Sequence, residues 1–246
     1  MKAADYLDAV RSLPLGSLQE LTGGLPFVVL SPHPDDETLG AGGLMAAARA
    51  AGQRADVVVI TDGSGSHPRS LLYPRPRLVE LRRNELEQAA ALLGLPSGHI
   101  THLGLPDTQA PRSGPAFEAA VSEITAMVRS SGAAALFTTW DSDPHCDHVA
   151  TARMAETVRD RIGGLRLWAY PVWGWHLDPS GAVEAPPPRG LRIDISRHQA
   201  AKRAALEAHA SQMTDLISDD PDGFRFSAPT LAPFLGRFEY FIEIAP

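Results

Sequence analysis

Apolar positions along the chain follow two rhythms. Short runs with few polar breaks occur at 27–30, 57–60, 100–103, 134–138 and 165–172. They are too short for helices and read as strands buried within a sheet. Between them the spacing changes to three and four. Leu78, Leu81, Leu86, Ala89 and Leu93 predict a helix over 77–93, ended by Gly94 with Pro96 beyond it. Further helices are predicted over 116–129, 148–162 and 198–210. The Ala- and Gly-rich stretch 38–51 predicts another, with Gly40, Gly42 and Gly43 suited to close packing on a sheet. Leu7, Val10 and Leu13 mark one face of a helical lead-in within 1–24, and 237–244 reads as a last strand. Strand and helix in alternation predict an α/β fold around a mainly parallel sheet. No linker or internal repeat interrupts the rhythm. The chain therefore reads as a single domain, 1–246, with the lead-in at one end and a loop and terminal strand over 211–246 at the other.

Composition narrows the function classes. With 246 residues, 44% of them hydrophobic and 21% charged, the chain can bury a full core. Lys and Arg number 22 against 29 Asp and Glu, and the resulting net charge of −7 argues against a nucleic-acid partner. No run approaches the ~18 apolar residues of a membrane span. Asp5 and Asp8 stand where a secretory leader would be apolar. Cys146 is the one cysteine, which excludes an intrachain disulfide and a cysteine-only metal site. The expectation is a bacterial, cytoplasmic protein.

Open parallel sheets bind ligands beyond the carboxyl ends of their strands. Two polar clusters lie at such ends: His33-Pro-Asp-Asp-Glu37, and Asp141-Ser-Asp-Pro-His-Cys-Asp-His148. His33 and Asp36 are three apart across a turn into a helix, a spacing that can bring an imidazole and a carboxylate onto one cation. A histidine and three acids in five residues repel unless something positive is bound, and a divalent metal satisfies that need. His145 and His148 are also three apart at a helix start, and one or both can face the same point. Two histidines and one carboxylate leave coordination positions open, and a neighbouring acid can serve as general base. Each cluster alone has a blander meaning, a helix start with acids in its first turn or a surface histidine pair. Their pairing at two strand ends favours a metal hydrolase. A non-haem Fe(II) oxygenase shares the triad, but Asp35 beside it and the sheet rhythm count against that class.

Pro32-His33-Pro34-Asp35-Asp36-Glu37 with its Gly-rich helix start, together with His145-Cys146-Asp147-His148, resembles the PIG-L/LmbE family of zinc-dependent N-acetylglucosaminyl deacetylases. Weaker matches follow in the family's order: Thr61-Asp62-Gly63, Arg82-x-x-Glu85-Leu86, Leu103-Gly-Leu-Pro-Asp107, and Lys202-Arg203 ahead of His209-x-Ser211-Gln212. The resemblance implies a Rossmann-like three-layer fold. It implies a small-molecule substrate, an N-acetylated amino sugar or its glycoconjugate, that loses its acetyl group with Zn2+ as cofactor and Fe2+ or Co2+ as substitutes. His33, Asp36 and His148 match the family's metal ligands, and Asp35 its general base. His145 matches the residue that stabilises the oxyanion or protonates the leaving amine. Arg82 and Asp107 match positions that hold sugar hydroxyls. Members range from monomers to hexamers, which leaves a homo-oligomer open.

The chain departs from the family at two places. Cys146 stands where Pro is common and reads as a small filler. Asp143 stands where some relatives have Tyr, and is expected to orient His145 or bind substrate. Trp173 and Trp175 suit a platform for a sugar ring or an apolar wall for an aglycone, with lid packing as the plainer reading. Asp147 suits a helix start better than a partner for a ligand histidine. Arg82 can alternatively pair with Glu85 along its helix. Two other functions compete: a metal-dependent amidase or deacylase on a thiol conjugate or natural product, and a catalytically inactive sugar-binding relative. The intact Asp35 opposes the second, because binding alone needs no base.

Overall fold

Successive residues of the central strands point to opposite faces, and each face meets its own set of helices. The computed structural model describes residues 1–245. Its strands are β1 (Leu15–Gly16), β2 (Phe27–Ser31), β3 (Ala55–Thr61), β4 (Ile100–Leu105), β5 (Ala135–Thr139), β6 (Arg166–Tyr170), β7 (Gly190–Asp194) and β8 (Phe238–Glu243). Its helices are α1 (Ala3–Arg11), α2 (Leu18–Thr22), α3 (Asp36–Ala50), α4 (Arg75–Leu92), α5 (Gly114–Ser131), α6 (Cys146–Ile162), α7 (Gln199–Ala208), α8 (Ala210–Met213) and α9 (Ala228–Leu231). Val29, Val57, Val59 and Phe137 pack under Leu44 of α3, Leu86 of α4 and Leu206 of α7. Val28, Leu30, Val58 and Leu136 pack under Val121 and Ile124 of α5 and Met154 and Val158 of α6. Helix, sheet and helix thus make three layers, as expected for this α/β class.

The eight strands run in the order β1-β7-β8-β6-β5-β2-β3-β4. Pairing is parallel from β6 through β5, β2 and β3 to β4. Only β8 runs antiparallel, between β6 and β7. Helix α3 lies unusually close to the sheet. A Cβ at Gly40 would stand 2.0 Å from the Tyr170 ring, so only glycine fits there. Three elements differ from the sequence reading. The lead-in divides into α1, the two-residue β1 and α2, because Pro14 breaks the first helix and lets the chain pair with β7. The strand β7 was not anticipated; five residues after a proline-rich loop carry too little pattern to show it. The loop expected within 211–246 ahead of the last strand holds most of the short helix α8 and all of α9. No described helix is long and apolar enough to cross a membrane.

Candidate metal centre and its pocket

Strand β2 has β3 on one side and β5 on the other, so consecutive crossovers diverge and a crevice opens at its carboxyl end. Both polar clusters arrive there, the first between β2 and α3, the second between β5 and α6. His33 Nδ1 lies 3.0 Å from Asp36 Oδ2 and 3.3 Å from His148 Nε2. Asp36 Oδ2 lies 3.2 Å from His148 Nε2. A tetrahedral ion with bonds of about 2.0–2.1 Å sets its ligand atoms roughly 3.3 Å apart. The three donors therefore fit one small divalent cation. A nitrogen of His145 also lies within 4.8 Å of nitrogens of His33 and His148.

The groups around these donors hold them in place. His33 Nε2 lies 3.1 Å from Asp147 Oδ2 and 3.2 Å from Asp107 Oδ1, which leaves Nδ1 for a metal. Asp147 also accepts the N–H groups of Thr108 at 2.7 Å and Ala110 at 2.9 Å. It serves His33 and the loop after β4 as well as the start of α6. His148 Nδ1 is buried and 3.3 Å from Asp143 Oδ1, outside hydrogen-bond geometry. Burial alone would lower the pKa of both imidazoles, but the surrounding carboxylates outweigh it. His33 is pushed well above its usual range and His148 up to about 9. Burial would raise Asp36, yet His148 and His33 hold it well below the usual carboxylate range. The cluster thus favours positive charge at its centre.

Asp35 is different. Burial, reinforced by Asp36 and Glu37, pushes its carboxyl up to about 7 against the opposing pull of Arg82. Arg82 Nη2 donates to Asp35 Oδ2 at 3.0 Å, and Nη1 donates to the Gly63 carbonyl at 2.8 Å. A Cβ at Gly63, whose φ is +67°, would press on that guanidinium. The helix pair considered for Arg82 does not form: Glu85 instead accepts the backbone N–H and hydroxyl of Ser211. His145 stands edge-on to His33, with ring centroids 4.6 Å apart. Its Nδ1 accepts the Asp147 N–H at 3.2 Å, so a neutral ring carries its proton on Nε2. Burial, and then the charge on His33 and His148, lowers its pKa.

The family profile described as "PIG-L: GlcNAc-PI de-N-acetylase" matches residues 28–158, more than half of the chain. The chain belongs to the PIG-L family. Over 266 aligned residues it is 27% identical to the 1D-myo-inositol 2-acetamido-2-deoxy-alpha-D-glucopyranoside deacetylase of Mycobacteroides abscessus, covering 89% of this chain and 91% of that protein. Its fold is similar to that of N,N'-diacetylchitobiose deacetylase from Pyrococcus horikoshii. The TM-score is 0.68 at 23% identity, over 96% of this chain and 88% of that one. The fold is also similar, at 16% identity and a TM-score of 0.64, to a 4-carboxy-2-hydroxymuconate hydratase of Pseudomonas putida, over 90% of this chain and 97% of that one. The architecture alone therefore does not fix the reaction.

In this PIG-L chain His33, Asp35, Asp36 and His145 open into a pocket lined also by Gly65, Ser66, Thr108, Trp173, Gln212, Phe224 and Phe226. Of the expected substrate contacts, Arg82, Asp107 and Trp173 line it. The charged atoms of Arg82 and Asp107 are already engaged: Arg82 with Asp35, and Asp107 with His33 and the Gly65 N–H. Asp143 corrects the expectation of a substrate contact. It is 1% exposed, and its Oδ2 accepts the N–H groups of Val172 and Gly174 at 2.9 and 3.0 Å. A carboxylate so enclosed holds the turn around Trp173 and faces His148 rather than substrate, and its Oδ1 accepts the His145 backbone N–H at 3.5 Å. Trp175 packs on Tyr240, away from the pocket lining. The exposed Cys146 directs its thiol at the Thr108 carbonyl. Sequence reasoning missed Phe224 and Phe226, which lie in a tail without a motif. Gln212 was visible in the His209-x-Ser211-Gln212 match but received no role.

Proposed function

We propose that this chain removes the acetyl group from an N-acetylated amino sugar or its glycoconjugate by metal-assisted hydrolysis. The observation that carries the reading is the convergence of His33 Nδ1, Asp36 Oδ2 and His148 Nε2 beside the buried Asp35 carboxylate, with His33, Asp35 and Asp36 lining one pocket. Membership of the PIG-L family supports the reaction class, and the deacetylase names of its relatives support the substrate class. We assign Zn2+, with Fe2+ or Co2+ as substitutes, because two imidazoles and a carboxylate at this spacing suit it. The bacterial relatives and the single cysteine support a bacterial, cytoplasmic setting.

A divalent metal held by His33, Asp36 and His148 would supply Lewis acidity to the amide carbonyl and to a water molecule. Asp35 is the general base for that water. Its raised affinity for a proton suits the task near neutral pH, and Arg82 fixes its orientation. The Nε2–H of His145 would donate a hydrogen bond to the oxygen that gains charge, and the proton that Asp35 takes from water would pass to the departing nitrogen, which cannot leave as an amide anion. Asp107 and Asp147 keep His33 turned so that Nδ1 faces the centre. The test is amine release from N-acetylglucosamine glycosides by metal-loaded protein beside Asp35→Asn. Wild type releases amine, and the variant falls by ~10²–10⁴-fold. No release from any amino sugar by protein of verified metal content overturns the reading.

A further inference from the structure

The pocket has two unlike ends. His33, Asp35 and Asp36 are only 8%, 4% and 2% exposed, so the reacting amide enters deeply. Trp173 and Phe224 are half-buried, which places them nearer the mouth, and Phe226 is buried against them. The three rings form one wall. Trp173 and Phe226 lie parallel at 5.8 Å, and Phe224 stands across both at 5.4 and 4.8 Å. Apart from the indole N–H, the wall has no side-chain hydrogen-bonding group.

The wall is also fixed in place. The Phe224 N–H donates to the Ser66 carbonyl at 2.7 Å and the Phe226 N–H to the Gln212 carbonyl at 2.8 Å. The Asp219 carboxylate accepts the N–H groups of Leu71 and Leu72, and Asp220 accepts that of Arg69. The two loops that frame this side are thereby stapled across about 150 residues of sequence. Leu71 and Leu72 sit on the loop that supplies Gly65 and Ser66 to the pocket, and they are 90% and 55% exposed.

A preorganised apolar wall needs an apolar partner. A sugar hydroxyl turned onto it loses water without gaining a bond, at a cost of about 1–3 kcal/mol. The acetyl methyl is one small group against three aromatic rings. A polyol aglycone meets the same penalty wherever a hydroxyl rather than a C–H face is turned onto the rings. We propose that the amino sugar deacetylated here carries an apolar aglycone, aryl or alkyl, seated on Trp173, Phe224 and Phe226. The proposal rests on the deacetylase reading above. The aglycone leaves the sugar toward the mouth while the acetamide points to the metal donors, and the ordered Leu71–Leu72 tip extends apolar surface along the same loop. Trp173, Phe224 and Phe226 then determine specificity and take no part in the chemistry.

The experiment compares kcat/KM for the methyl, phenyl, octyl and myo-inositol glycosides of N-acetylglucosamine, and for N-hexanoylglucosamine methyl glycoside, with calorimetric binding of each to the metal-loaded protein. Phenyl and octyl glycosides exceed the methyl glycoside by ~10–100-fold, chiefly through KM. In Phe224→Ala that ratio, read within the variant, falls to about 2, and Phe224→Leu retains most of it. Turnover with equal preference for methyl or inositol glycosides overturns the proposal. So does a gain confined to the N-hexanoyl compound, which would place the wall against the acyl group. Apolar-selective binding without turnover supports the wall and sinks the deacetylase reading; neither binding nor turnover sinks both.

Discussion

On the side of the pocket that carries the donors, His33, Asp36, Arg82, Asp107 and Asp147 each engage two or more partners. The aromatic side opposite is held by ring packing and by backbone bonds to a neighbouring loop. The first arrangement fixes atoms in one geometry because buried charges tolerate no loss of a partner. The second fixes a surface but leaves its chemical detail open to exchange. Changes on the charged side should therefore cost rate, metal or folding, whereas changes on the aromatic side should alter which substrate is preferred.

The sharpest break of that contrast is Asp35→Asn, with kcat expected to fall ~10²–10⁴-fold while metal content stays near that of wild type. Steady-state kinetics beside metal analysis checks it; equal loss of metal and rate would make Asp35 a ligand. Next in size is Lys202→Met. Lys202 Nζ donates to the Leu39 carbonyl and to Glu239, both at 2.7 Å, and Glu239 accepts the N–H groups of Gly43 and Leu44 in mid-α3. Removing one partner of so buried a pair should destabilise by about 3–5 kcal/mol. Urea denaturation measures this, and a loss under ~1 kcal/mol would show that α3 does not depend on the pair.

A smaller effect is expected at Asp147. Asp147→Ala removes a partner of His33 and leaves the Thr108 and Ala110 N–H groups without theirs, so metal affinity should drop ~10–100-fold. Competition with a chelating dye reads that change directly. The loop is already under strain, since Thr108 is a β-branched residue at φ +66°. The last effect shows only as a slope with pH, in acid stability. Burial, and then the charge of Arg82, pulls the pKa of His209 down to about 3, while Glu37 Oε1 lies 3.9 Å away. The unfolded chain takes up this proton below pH ~6.5 and the folded one refuses it. Stability is therefore full above pH 6.5 and declines as pH falls from there toward 3, by at most ~1.4 kcal/mol per pH unit from this group. In His209→Phe the slope of stability between pH 6 and 4 should flatten; an unchanged slope assigns acid sensitivity to other groups.

The parallel half of the sheet was legible because strands such as 27–30 and 57–60 are apolar on both faces and announce themselves in any window. The strand β7 was not, because it is short, half-buried and follows prolines. Among site residues, His33, Asp35, Asp36, His145 and His148 stood out because their chemistry is concentrated in two short segments. Asp147 was undervalued: its spacing in α6 is that of an ordinary first-turn acid, and its partners His33, Thr108 and Ala110 lie 37 to 114 residues away. Asp143 misled for the same reason, since its partners Val172 and Gly174 come from the turn after β6.

The sequence by itself determined the strand and helix rhythm, the two polar clusters and their place at strand ends, because local pattern and local chemistry are written in neighbouring residues. Only the tertiary structure decided that the clusters meet, that Asp143 turns inward, and that Phe224 and Phe226 join Trp173 to wall the pocket. Those outcomes depend on crossovers that bring β5 beside β2 and on loops stapled by Asp219 and Asp220. Contacts over such separations leave no period in the chain, and burial of charge forces them only once the layers have closed.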